Sequence, residues 1–175
     1  MNSAKELQKQ HEKSVCDILF RSLNLNAEFE KYGNDINEPD CIYKLNRELL
    51  GIEVATAYYE DSDAKQEWTL ARGEREFPKR GYEERWGGVI KNPSDLICIR
   101  IHKEIIDKCS KKYSGTDKIW LCIEERAPLS NEISVKECLK SIQITGKNTF
   151  QAIYLLHLSP SHEGGNYKAF KIYGD

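Results

Sequence analysis

Leu7, Val15, Ile18 and Leu19 recur at spacings of eight, three and four within a polar stretch. That periodicity predicts an amphipathic helix over residues 3–23, with Ser3 as its N-cap. A turn at 24–26 and a short strand at 28–32 follow, and GNDINEP is loop chemistry closed by Pro39. Two strand-like runs, 40–46 and 49–57, are separated by a tight connection at Arg47-Glu48, which predicts an antiparallel hairpin. The second run is apolar on both faces, as a central strand is. Residues 61–76 predict a helix, and 77–93, rich in Gly, Pro and charge, a long loop. Ile97, Ile101, Ile105 and Cys109 stand four apart and predict a second clear helix over 95–113, ended by Gly115. A buried strand at 118–124, a short helix at 132–142, a strand at 151–158 and an alternating edge strand at 167–173 complete the chain. The order predicts an α/β fold with a single mixed central β-sheet flanked by helices, in one domain over 1–175.

Composition adds class rather than detail. A hydrophobic fraction of 39% with three Trp, nine Tyr and five Phe suits a packed globule. No apolar run approaches the ~20 residues that cross a bilayer, and MNSAKELQKQHEKS is polar from the outset, so no membrane partner and a cytoplasmic location are expected. The six cysteines (Cys16, Cys41, Cys98, Cys109, Cys122 and Cys138) include no C-x-x-C pair. They are expected to be reduced, mostly buried thiols with no zinc site among them. No phosphate-binding glycine motif and no G-x-S-x-G is present.

Charge is unevenly spread. Residues 23–63 carry ten acidic side chains against three basic, 71–91 six basic against four acidic, and 103–118 five basic against three acidic. An acidic region beside two basic ones suits a metal site flanked by phosphate-binding surface, and a mixed solvated surface is the plainer alternative. Within the acidic region, Glu53 lies mid-strand in LLGIEVATA. A buried carboxylate there must be paired, protonated or bound to a cation. With the hairpin turning at Arg47-Glu48, facing residues sum to about 95, which sets Glu53 opposite Ile42 and Asp40 on its diagonal at ~7–8 Å. Two carboxylates at that range can share Mg²⁺ or Mn²⁺, hard ions that take oxygen ligands and keep several waters. The plainer reading has Asp40 capping the turn after Pro39 and Glu53 paired with a buried Arg or Lys.

Pro39-Asp40, followed thirteen residues on by Gly51-Ile52-Glu53-Val54-Ala55, resembles the motif core of PD-(D/E)XK nucleases. The leading helix, hairpin, following helix and apolar strand extend the resemblance over residues 3–125. It implies a restriction-endonuclease-like core in which Asp40, Glu53 and the Val54 carbonyl hold Mg²⁺ or Mn²⁺, joined by Glu12 in preference to Glu6. The implied activity is metal-dependent hydrolysis of nucleic-acid phosphodiesters, with DNA the expected substrate and a homodimer a compatible state. The family's lysine falls at position 55, which here is Ala55. The water-orienting cation would then come from Lys108, beside the apolar stripe of the second clear helix, or from Lys44, on the strand face of Asp40. The same fold without catalysis, serving as a binding or assembly module, is the alternative.

Arg72, Arg75, Lys79, Arg80 and Arg85, interleaved with Trp68, Phe77, Tyr82 and Trp86, could contact phosphates and stack bases, as could Lys112 on its helix end. A solvated loop anchored by aromatics, and lysines favoured by the helix dipole, are the plainer readings. His102 is expected on the buried side of its helix as a packed core histidine, and His11 beside Glu12. His157 and His162 have no partner pattern.

Overall fold

A computed structural model describes residues 3–34, 36–58, 93–126, 132–144, 148–159 and 166–174. Helix α1 (Ala4–Ser22) starts where Ser3 Oγ accepts from the Glu6 N–H at 3.2 Å, and it buries Val15, Cys16, Leu19 and Phe20. Three strands follow: β1 (Glu28–Tyr32), β2 (Cys41–Leu45) and β3 (Glu48–Tyr58). Next come α2 (Pro93–Cys109), β4 (Lys118–Arg126), α3 (Glu132–Ser141), β5 (Ala152–Ser159) and β6 (Asn166–Tyr173). The helix and loop expected over 61–76 and 77–93 lie outside the described residues.

The strands form one six-stranded sheet in the order β1-β2-β3-β4-β5-β6. β3, β4 and β5 run parallel, and the remaining neighbours pair antiparallel. The two parallel steps need helical crossovers, and α2 and α3 supply them. Both helices cover the same sheet face, as two crossovers of one hand stepping in one direction require. Their Ile97, Ile101, Ile105, Val135 and Cys138 meet Ala55, Ala57, Leu121, Ile123, Ile153 and Leu155. Among the described residues, α1 is the helix that covers the other face, over Cys41, Tyr43, Ile52, Val54, Cys122 and Leu156. β3 is therefore buried on both sides, as its two-sided apolar pattern predicts.

Several expectations need correction. The β2–β3 turn is Asn46-Arg47, not Arg47-Glu48: Leu45 pairs with Glu48, and the two turn residues have φ of 52° and 73°. Consecutive positive φ values are those of a type I′ hairpin turn, which Asn tolerates well and Arg poorly. α2 ends at Cys109 rather than Tyr113, and Gly115 (φ 88°) lies in the loop beyond it. His102 is exposed, because the buried stripe of α2 runs through Ile97, Ile101 and Ile105.

The cysteines are not all reduced. Cys98 of α2 and Cys138 of α3 form a disulfide with Cα atoms 5.6 Å apart, while Cys16, Cys41, Cys109 and Cys122 are free thiols. Among the described residues, no helix is long and apolar enough to cross a membrane.

The disulfide closes a loop of 40 residues. Reduction, or the Cys98→Ser/Cys138→Ser double variant, is expected to lower stability by about 2–4 kcal/mol. Urea unfolding with and without a phosphine reductant measures this, and an unchanged midpoint would show that the cross-link contributes nothing.

Candidate active site

The site begins with register. Cys41 pairs with Ile52, so Asp40, one residue earlier, comes directly opposite Glu53, one residue later. The diagonal placement expected from a turn at Arg47-Glu48 is thus corrected to a facing one, with Cβ atoms ~5 Å apart. The Val54 N–H donates to Asp40 Oδ2 at 2.8 Å and fixes the carboxylate against β3. Gly51 lies on the same strand face as Glu53. A Cβ at Gly51 would stand 2.5 Å from Pro39 Cγ and 2.7 Å from Thr116 Oγ1. The glycine thus lets Pro39 lie on β3, and the proline in turn delivers Asp40 to Glu53.

Glu53 is 4% exposed and therefore needs a counter-charge. Ala55, two residues along the same face, is a buried small residue and supplies none. The charge comes from α2: Lys108 Nζ donates to Glu53 Oε1 at 2.6 Å and to the Val54 carbonyl at 3.2 Å. Lys108 follows Ile105 by three positions, so the stripe that docks α2 also aims this side chain at β3. Burial alone would lower the Lys108 pKa, but the charge of Glu53 and the hydrogen bond to it outweigh that and raise it.

Glu12 of α1 stands close enough to feel Glu53 and Lys108. Burial raises its pKa against a hydrogen bond from Gln8 Nε2 to Oε1 at 2.8 Å. Asp40 is shifted furthest among these carboxyls, to about 7, by burial first and then by the charges of Glu53 and Glu12. The Tyr113 hydroxyl is also buried near this group, and burial followed by the charge of Glu53 raises its pKa.

The structure thus gathers Asp40, Glu53, Val54, Glu12 and Lys108. Lys44 is not with them: it is exposed on β2 opposite Leu49, four residues and roughly 13 Å along the strand from Asp40. Lys112 is exposed in the loop after α2. Arg72, Arg75, Lys79, Arg80 and Arg85 lie outside the described residues. Among the described residues, no group of three or more His, Cys, Asp or Glu side chains is gathered for a metal ion. The oxygens on offer are the Asp40 and Glu53 carboxylates and the Val54 carbonyl. Such a set suits Mg²⁺ or Mn²⁺, which complete their shells with water, and the ammonium of Lys108 already marks the spot as one for positive charge.

Some buried polar residues escape a reading by sequence. Glu124 and Glu125 are adjacent on β4 and point to opposite faces, at 1% and 2% exposure. Glu124 meets His11 Nε2 and Arg126 Nη2, each at 3.0 Å. Glu125 meets the buried His157 Nδ1. The apolar run before Glu124-Glu125 signals their burial, but nothing in it names their partners.

Asp40 holds its proton more tightly folded than unfolded, where the ordinary value is 3.8. Its contribution to stability is therefore complete below that value and is lost as pH rises through about 7. Asp40→Asn, which can still accept from the Val54 N–H, is expected to be more stable than wild type without divalent ions, by a margin that widens from pH 5 to pH 8. Thermal unfolding across that range checks it, and a constant margin would contradict it. Gly51→Ala, by crowding Pro39 and Thr116, is expected to cost roughly 1–3 kcal/mol in urea unfolding.

Comparison with protein-family models, curated proteins and solved structures gives no match, so function has to be argued from this constellation itself.

Proposed function

We propose that this protein is a metal-dependent nuclease of the PD-(D/E)XK type, with a restriction-endonuclease-like core, hydrolysing nucleic-acid phosphodiesters and DNA foremost. One observation carries the proposal: a lysine from α2 donates to the Glu53 carboxylate directly opposite Asp40, at the place where the strand itself offers only Ala55. An acidic pair with an ammonium beside it is the minimum for this chemistry.

In this reading Asp40, Glu53 and the Val54 carbonyl hold Mg²⁺ or Mn²⁺, and Glu12 adds negative charge behind them. The ion, when bound, supplies Lewis acidity for an attacking water and for the leaving oxygen. Lys108 orients that water by hydrogen bonding and offsets charge developing on the phosphate. Lys112 and the basic residues at 72–85 would contact the phosphate backbone. A homodimer is compatible with the proposal and is read by sedimentation.

A second reading, a nuclease-like module kept for binding or assembly, is favoured by the lack of a third carboxylate joined directly to Asp40 and Glu53 among the described residues. In that case the Lys108–Glu53 pair is a buried salt bridge and no more.

Incubation of plasmid and single-stranded DNA with Mg²⁺ or Mn²⁺ separates the two. Cleavage is expected for wild type, with losses of about a hundredfold or more in Asp40→Ala, Glu53→Ala and Lys108→Ala, the scale of a removed catalytic group. Lys44→Ala is expected to cleave as wild type does. No cleavage of either substrate, together with no stabilisation by the ions, would favour the module.

A further inference from the structure

We infer that Lys108 is a built-in competitor for the divalent ion: in the ion-free protein its ammonium occupies the two oxygens, Glu53 Oε1 and the Val54 carbonyl, that the cation needs. This rests on the nuclease reading above and adds to it a control on the site's occupancy.

The geometry leaves little alternative once those oxygens are ligands. Lys108 Nζ is 2.6 Å from one and 3.2 Å from the other. Mg²⁺ or Mn²⁺ would stand about 2.1 Å from the same atoms. Ammonium and dication would then overlap in space and repel at short range, with little water to screen them, since the Lys108 and Glu53 side chains are only 17% and 5% exposed. The two cations must alternate.

The placement of the lysine makes alternation practicable. A lysine at position 55 would be tethered to the strand beside the ion. Lys108 instead reaches β3 from α2 along a four-carbon stem, above a floor kept low by Ala55 and Ala57. The flexible stem is what would carry the ammonium off Glu53. Withdrawn from those oxygens, the ammonium remains beside the site, where the proposed reaction needs a donor. In the ion-free state the same residue spares the protein a buried, unpaired carboxylate. Lys108 therefore both compensates Glu53 and sets how much divalent ion is needed to displace it.

Calorimetric titration with Mn²⁺, without nucleic acid, tests this on wild type, Lys108→Met, Lys111→Met and Asp40→Asn. Lys108→Met is expected to bind Mn²⁺ about tenfold more tightly than wild type or more, equivalent to ~1.4 kcal/mol for the displaced hydrogen bonds. Lys111→Met, at an exposed position, is expected to match wild type, and Asp40→Asn to bind weakly. Equal or weaker binding by Lys108→Met overturns the competition while leaving the cation site standing. An equal gain in Lys111→Met also overturns it, because general electrostatics would then account for the effect. Absence of Mn²⁺ binding in every variant, wild type included, sinks the underlying site as well.

Should Lys108→Met fail to fold, amine acetylation of wild type followed by mass spectrometry decides. Lys108 labelling is expected to rise several-fold on adding Mn²⁺ while Lys112 labelling stays constant. Unchanged Lys108 labelling at saturating Mn²⁺ overturns the inference.

Discussion

A carboxylate buried in the third strand of a six-stranded sheet has to be neutralised, and much of this structure follows from how Glu53 meets that requirement. Its neighbours on the same face are Gly51 and Ala55, too small to carry charge, so the counter-ion must come from the layer above. The small side chains of Ala55 and Ala57 let α2 settle onto β3 through Ile97, Ile101 and Ile105. Lys108 then falls over Glu53, as the next suitable position on that helix face. The helix packing, the glycine under Pro39 and the type I′ turn are parts of one arrangement, because each fixes a coordinate of the Asp40–Glu53–Lys108 group.

Much of the fold was legible because the sequence alternates strongly between periods. The spacing of Ile97, Ile101 and Ile105 and the two-sided apolar run of β3 gave both helix and central strand. The register slipped by two residues for an identifiable reason: Asn46 marks the turn, but Arg47 at φ 73° is an unusual occupant of its second position. Asp40 and Glu53 could be read from Pro39, Gly51 and the cost of a buried acid. The choice between Lys108 and Lys44 could not, since Lys44 shares the strand face with Asp40, whereas Lys108 meets Glu53 across a separation of 55 residues that no local pattern encodes. The Cys98–Cys138 bond and the Glu125–His157 pair join residues far apart in sequence, and no local pattern encodes such partners.

The buried charges of β4 and β5 have a common location. Along the parallel strands, the levels of Gly51 with Ile119 and of Ile52 with Trp120 carry no charge, whereas Glu124, Glu125 and His157 lie toward the carboxyl ends of β4 and β5. Glu124 is reached from α1 by His11, the neighbour of Glu12. Open α/β sheets characteristically place their ligands beyond these strand ends. The described residues thus put these buried polar groups at the level of Thr56 and Ala57 on β3, beyond that of Glu53.

A structural salt bridge and a cation site can share the same atoms, so the Lys108–Glu53 bond does not by itself decide between them. The surrounding charge is more informative. A bridge kept for stability needs one acid and one base, and even then well-packed apolar residues commonly serve as well or better. Here Asp40, Glu53 and Glu12 all bear on one ammonium, and burial first, then this surplus negative charge, raises the Asp40 pKa to about 7. That surplus works against the fold, and a single further positive charge would relieve it. On the proposed reading a bound cation would relieve that surplus, whereas a structural bridge needs only one acid and one base.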